Sequence, residues 1–108
     1  MASSKEYLDY ILEQLELAHL DGITYRAMMG EYILYRQGKI FGGIYDERFL
    51  LKPTTAALAL MPDAPREIPY PGAKEMLLVE EAEDSDFLRE LIIKTCAELP
   101  EPKAKRAK

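Results

Sequence analysis

The stretch YRAMMGEYILYRQGK, which runs from Tyr25 to Lys39, decides the fold of this 108-residue chain. Tyrosines and aliphatic residues alternate there with arginines, and Gly30 and Gly38 mark two sharp bends. Strand-length segments separated by glycine turns are typical of a β-meander, because short turns join neighbouring antiparallel strands. The stretch therefore predicts consecutive antiparallel strands.

The same reasoning, extended outward, gives the element order of the whole chain. Turn signals at Gly30, Gln37-Gly38 and Asp46-Glu47 separate the strands, and apolar residues at helical spacing mark both ends of the chain. The order α-β-β-β-β-α-β-α predicts an α/β fold of the α+β type, with two layers and a five-stranded, mostly antiparallel sheet. The predicted strands are 23–28, 32–36, 39–45, 49–52 and 74–79, and the predicted helices are 4–20, 54–61 and 85–99, with a connecting loop at 63–72.

The predicted strands carry apolar residues at both alternating positions, so both faces of the sheet are expected to be partly apolar. The pair Gly42-Gly43 lies inside a predicted strand, where paired small residues indicate a bulge or a close backbone approach. With strict alternation, one face of the second strand carries Ile33 and Tyr35, and the other carries Tyr32 and Leu34. In the third strand, one face carries Ile40 and Ile44, and the other carries Phe41 and Tyr45.

We expect one face of the sheet to stay partly uncovered and to act as a contact surface for a homodimer or a regulatory partner. Two long helices are wide enough to cover one face, and the short helix at 54–61 cannot cover the other. An exposed apolar patch with a basic rim usually marks an interaction site. The residues predicted to form this surface are Arg26, Met28, Tyr32, Tyr35, Arg36 and Lys39.

The net charge of −5 is unevenly distributed along the chain. Residues 1–22 carry −4, residues 23–53 carry +2, residues 54–100 carry −6 and residues 101–108 carry +3. Domains that bind nucleic acid are usually basic, because phosphate neutralisation dominates that affinity. A body at −8 up to residue 100 therefore predicts that direct nucleic-acid binding is weak or absent.

The basic residues of the meander nevertheless leave a second interpretation open. Aromatic side chains beside cations on a sheet resemble the stacking platforms that hold single-stranded nucleic acid. A direct nucleic-acid binder that uses this face and the basic tail is therefore the alternative to a protein-contact module. The cations concerned are Arg26, Arg36, Lys39 and Arg48.

The residue types that carry catalysis or metal binding occur in no recognisable arrangement. His19 is the only histidine and lies near a predicted helix C-terminus, where the helix dipole favours a partly positive imidazole. Cys96 is the only cysteine and lies on the apolar stripe of the last helix, which predicts a buried, inert thiol. The acidic run 80–86 lacks the calcium-loop pattern and predicts a solvated helix start capped by Asp84 or Ser85. We therefore expect no enzyme activity, no metal and no cofactor.

The organisation expected of the chain is one domain over residues 1–100 and a flexible basic tail at 101–108. The longest apolar runs are far shorter than the roughly 20 residues that a membrane helix needs. The N-terminus shows no secretory signal, and a single cysteine cannot form an internal disulfide. These features predict a cytoplasmic protein without membrane contact.

Three motifs in order suggest a family. They are RAMMG at 26–30, YILYRQGK at 32–39 and FGGIYDERFLLK at 41–52. Together with IPY at 68–70 and the final helix, they resemble the N-terminal domain of the TfoX/Sxy family over nearly the whole chain. Met29 stands where the family usually has phenylalanine, and Glu31 stands where it has a second glycine.

The resemblance implies a two-layer domain with an antiparallel sheet, similar to type III secretion chaperones. Family members are named for a regulator of competence genes that works with a cyclic-AMP-receptor-type activator and also carries a C-terminal helical domain. The chain resembles the N-terminal domain standing alone. The expected function is therefore a non-enzymatic regulatory or adaptor module that acts through protein contacts, linked to transcriptional regulation of competence-type genes.

Overall fold

The computed structural model describes residues 5–28 and 30–99 of the chain. The bounds of the elements are α1 Lys5–Leu17, β1 Ile23–Met28, β2 Glu31–Arg36, β3 Lys39–Tyr45, β4 Arg48–Leu51, α2 Thr55–Leu60, β5 Arg66–Glu67, β6 Met76–Leu78 and α3 Ser85–Ala97. The predicted tail at 101–108, Met29 and the predicted helix start at Ser4 lie outside the described residues.

All six strands belong to one antiparallel sheet with the order β1-β2-β3-β4-β6-β5. The α/β class and the meander are confirmed, but the prediction of five strands misses one. Arg66 and Glu67 form β5 against Leu77 and Met76, inside the segment predicted to be a connecting loop. Two residues between prolines carry too little alternation to be recognised as a strand from sequence.

The first helix ends before the predicted Leu20, because His19 adopts a left-handed conformation at φ 59°. The N–H of Leu20 donates to the carbonyl of Leu15 at 3.3 Å, and the N–H of His19 donates to Glu16 at 2.9 Å. This pair of hydrogen bonds is a Schellman motif, which satisfies the last carbonyls of the helix. Arg89 of α3 donates to the carbonyl of His19 and ties the two long helices together at this corner.

The meander contains a bulge opposite the join of Leu34 and Tyr35, where Phe41 is an extra residue in β3. A Cβ on Gly42 would lie 2.2 Å from the carbonyl oxygen of Leu50, so the adjacent strand occupies the space that a side chain would need. The expectation of a bulge or close backbone approach at the glycine pair is confirmed.

The bulge shifts the alternation of β3 by one residue. Phe41 and Ile44 both lie in the main core, whereas Ile40 and Tyr45 lie on the opposite face. The prediction that Ile40 shares a face with Ile44 is therefore wrong, because strict alternation does not hold across a bulge.

All three helices contribute to a single core on one side of the sheet, which we call the helix face; the other side is the open face. Full burial of a leucine, isoleucine or phenylalanine side chain stabilises a domain by about 1.5–3 kcal/mol. An isolated helix as short as α1 or α3 is marginal, so packing on the sheet stabilises both. The core includes Leu8, Ile11, Leu15, Leu34, Phe41, Ile44, Phe49, Leu51, Ala57, Leu77, Leu88, Leu91 and Ile92.

Candidate functional site: the open face of the sheet

The open face has no helix above it among the described residues; its β1 residues are exposed and its β2 residues are half-buried. Residues paired directly across antiparallel strands share a face, so the register identifies its members. Met28 is 45% exposed and Ile40 is 38% exposed, although both are large apolar residues. The register places Arg26, Met28, Glu31, Ile33, Tyr35, Ile40 and Tyr45 on this face.

A loop covers the other half of the open face. The segment 68–75, here the 68–75 loop, leaves β5 and places the ring of Tyr70 against that of Tyr45, with centroids 6.2 Å apart. The Arg48 side chain donates to the carbonyls of Ile68 and Pro69, at 3.5 Å each, and its guanidinium pairs with Glu67. Burial under this cover raises the pKa of the Tyr45 phenol above its usual value, because a less polar environment disfavours the phenolate.

A cleft of about 470 Å³ lies where the covered half meets the uncovered half. Glu31 on its wall accepts a hydrogen bond from the backbone N–H of Asp46 at 3.0 Å, so this carboxylate is held by the β3–β4 turn. A neighbouring cleft of about 390 Å³ shares Tyr45 and Tyr70 and extends to Ile40, so the apolar surface is continuous. The larger cleft is lined by Met28, Glu31, Ile33, Tyr45 and Tyr70. Such a site is suited to an apolar or aromatic side chain of another molecule.

The predicted surface residues do not all lie together. Arg26, Met28 and Tyr35 lie on the open face. Tyr32 lies on the helix face, half-buried against the core and in edge contact with Tyr25 at a centroid distance of 5.9 Å.

Arg36 and Lys39, the other two predicted residues, also lie on the helix side, where they bind neighbouring segments. Arg36 donates to Asp21 at 2.8 Å, and this hydrogen bond lowers the pKa of the Asp21 carboxyl. Lys39 donates to the carbonyl of Cys96 at the end of α3, at 3.2 Å. Both cations therefore close the end of the helix layer rather than rim the open face.

The four cations considered for a nucleic-acid platform form no continuous stripe within the described residues. Arg36 and Lys39 lie on the helix side, and Arg48 is paired with Glu67 beneath the 68–75 loop. Arg26 is exposed on the open face and makes no ion pair with any described residue.

The single cysteine is buried as predicted, at 4% exposure. Burial raises the pKa of the Cys96 thiol, although the nearby Arg36 and Lys39 act in the opposite direction. A raised pKa leaves the thiol protonated, which is the reverse of what a nucleophile requires. Asp84 caps α3 by accepting from the N–H of Phe87 at 3.2 Å, so the acidic run does begin a helix.

The described part of the chain holds neither a metal cluster nor a helix suited to a membrane. Residues 5–28 and 30–99 contain no group of three or more His, Cys, Asp or Glu side chains placed to hold a metal ion. In the same residues, none of the helices combines the length and apolarity that crossing a bilayer requires.

The sequence analysis missed Ile33, Tyr45 and Tyr70 as members of the site. The motif at 68–70 is visible in the sequence, but nothing in it shows that Tyr70 folds back onto Tyr45. Strict alternation predicts Tyr45 on the face opposite Ile40, whereas the extra residue at Phe41 brings the two to the same face. Both are consequences of tertiary structure rather than of local pattern.

Comparison with known proteins places the chain in a family. The family model described as the TfoX N-terminal domain matches residues 15–98, which spans the sheet and most of the helix layer. The chain belongs to the TfoX N-terminal domain family. A relative from Spirochaeta aurantia, described as an uncharacterized 12.7 kDa protein in the trpE 5′ region, is 33% identical over 109 residues and covers 100% of this chain and 93% of its own length. No solved structure matches.

Proposed function

We propose that this TfoX N-terminal domain is a regulatory or adaptor module that acts through protein contacts on its open face, without catalysis of its own. The observation that supports the proposal is the cleft between Met28 and Tyr70, an apolar recess at the border of an uncovered sheet face. A contiguous apolar patch exposed on a small domain is typical of interaction sites. A buried thiol with a raised pKa gives no support to an enzymatic alternative.

The finer parts of the proposal come from the family. We propose a role in transcriptional regulation of competence-type genes, with either a regulator protein or a second copy of this chain as the partner. The partner inserts an apolar side chain into the cleft, and Arg26 beside it attracts an acidic residue. We place the protein in the cytoplasm, where an unpaired cysteine stays reduced.

The test is partner capture with two matched charge variants. Met28→Glu places a carboxylate at the cleft, whereas Ala59→Glu places the same charge on the exposed side of α2. The wild-type chain, immobilised and exposed to an extract of its host, is expected to retain a defined protein, and light scattering shows self-association. Met28→Glu is expected to weaken that association at least about tenfold, as for a residue at the centre of an interface.

The result that would contradict the proposal is capture that both variants retain while circular dichroism shows each to be folded. Tight binding to duplex or single-stranded nucleic acid at physiological salt, lost on Arg26→Ala, would replace the protein-contact function with the nucleic-acid alternative.

A further inference from the structure

The two edges of the sheet differ in how well they are protected. At one edge, β5 has only two residues, both charged, and prolines at positions 65 and 69 stand close on either side. At the other edge, β1 has six residues, contains no proline and has Arg26 as its one charge. Short, charged and proline-flanked edges prevent strand addition, whereas a long regular edge invites it. Within the described residues, β1 pairs with β2 alone.

The alternation of hydrogen-bonded pairs between β1 and β2 shows which backbone N–H and C=O groups of β1 point outward, toward a further strand. The N–H of Gln37 donates to the carbonyl of Gly22 at 2.8 Å, which makes that pair a hydrogen-bonded one. Hydrogen-bonded and non-bonded pairs alternate along an antiparallel ladder. The N–H and C=O groups of Ile23, Tyr25 and Ala27 therefore point away from β2, where no described strand meets them.

A groove runs beside this edge, between β1 and α1. Its volume is about 600 Å³, and its walls include Leu12, Leu20 and Tyr25. Glu16 also lines it, is exposed, and makes no ion pair with any described residue. Residues 1–22 carry one lysine and five acidic residues, and Asp9 and Asp21 are paired with Lys5 and Arg36, which leaves an acidic excess on the α1 side of the groove.

We propose that the β1 edge and this groove bind an extended segment of a partner protein as a seventh strand. The main-chain groups of Tyr25 and Ala27 pair with the segment, and the side chains opposite them point into the groove. The segment carries an apolar residue that packs on Leu12. Two positions away, opposite Ile23, it carries lysine or arginine that reaches Glu16. This site is separate from the open-face cleft and does not depend on it.

A second copy of the chain fits this edge poorly. A two-fold axis that joins two β1 strands into one sheet keeps both helix layers on the same side, so the two acidic α1 helices would lie next to each other. Like charges at that distance disfavour the pairing, whereas a basic segment is attracted. The partner segment is therefore a foreign strand rather than β1 of another molecule.

The experiment selects ligands from a random peptide library displayed on phage, with peptides of about nine residues, enough to span β1. The full chain is the target, and the Ala27→Pro variant serves for counter-selection. Proline removes the outward N–H without touching the ladder to β2, because edge strands accept proline at such positions. We expect enriched peptides to show alternating apolar residues with a basic residue two positions from one of them.

Binding of synthetic peptides from the selection then separates the contribution of the Ala27 backbone N–H from that of the Glu16 carboxylate. Ala27→Pro is expected to weaken binding about tenfold, whereas Ala27→Ser, which keeps the N–H, measures the effect of the side chain alone. Glu16→Gln is expected to weaken binding about threefold, and Asp63→Asn, a carboxylate beyond the other end of the helix layer, serves as its control. Hydrogen exchange should slow at Tyr25 and Ala27 when the peptide is bound.

Three results would overturn the inference. One is a selection in which no peptide is enriched on the wild-type chain relative to the Ala27→Pro variant. Another is enriched peptides that are acidic or proline-rich. The third is a dimer in solution that Ala27→Pro dissociates, since the edge would then bind a second copy. None of these affects the open-face proposal, whose test uses Met28 and a different binding partner.

Discussion

The two faces of the sheet differ in what covers them rather than in how apolar they are. Ile40 and Phe41 are adjacent in the sequence and both large, yet Ile40 is 38% exposed and Phe41 is fully buried. On the helix face, three helices bury the strand residues of the core. On the open face, the 68–75 loop is the one described segment that covers strand residues, and it stops at the cleft beside Met28. Apolar strand residues therefore serve stability on one face and remain available for contact on the other.

The largest expected effect is a difference in the free energy of unfolding between truncation of Phe41 and truncation of Ile40. Phe41→Ala removes a ring from the centre of the core and is expected to lower the free energy of unfolding by about 3–5 kcal/mol. Ile40→Ala should change it by about 1 kcal/mol or less, because the side chain is already partly in water. Urea unfolding of both variants checks the difference. Similar losses for the two would mean that the open face is covered in solution.

The next effect compares two glycines on opposite sides of the sheet. Gly42→Ala forces a methyl group against the carbonyl of Leu50 in a region that the bulge holds tightly, and we expect a loss of about 2–3 kcal/mol. Gly72 lies in the 68–75 loop at φ +90° with no atom within 4 Å of an added Cβ. Gly72→Ala therefore costs backbone strain only, about 1 kcal/mol. Thermal unfolding ranks the two variants, and a larger loss at Gly72 would contradict the steric argument.

The order of elements was predictable because it depends on local signals. Turns with positive φ separate strands that are neighbours in the sequence. Gln37 and Asp46, both at φ 53°, begin two such turns. The cap of α3 was predictable as well, since Asp84 satisfies the first turn by the chemistry of its own side chain. The resemblance to the family was also visible in such spaced motifs, and the family model that matches residues 15–98 confirms it.

The site was predictable only in part, because its geometry depends on contacts between distant segments. One extra residue at Phe41 changed the faces assigned to the rest of β3. Arg36 and Lys39 looked like surface cations, but the end of α3 and the loop after α1 lie within their reach. A residue's charge does not reveal which partner the fold brings to it.

The smallest effect concerns the proton affinity of tyrosines on the two faces. Burial raises the pKa of Tyr45 on the open face and that of Tyr7 in the helix layer, because low polarity disfavours the phenolate. If Tyr70 provides the cover over Tyr45, Tyr70→Ala should lower the pKa of Tyr45 toward the ordinary value of about 10 and leave Tyr7 unchanged. Carbon-13 labelling of the tyrosine rings, with signals assigned from single Tyr→Phe variants, measures both groups in one titration.

The same shift has a consequence for stability in alkaline solution. The pKa of Tyr45 is higher in the folded chain than in the unfolded chain. The contribution of the neutral Tyr45 phenol to the free energy of unfolding is therefore complete below about pH 10, and it is lost as the pH rises through the folded pKa. Above pH 10 the wild-type chain should therefore lose stability more steeply than Tyr45→Phe, and Tyr70→Ala should reduce that difference in slope. Unfolding free energies measured across this range test the sign. A Tyr45 pKa that stays raised in Tyr70→Ala would mean that the sheet itself, rather than the 68–75 loop, keeps water from this half of the open face.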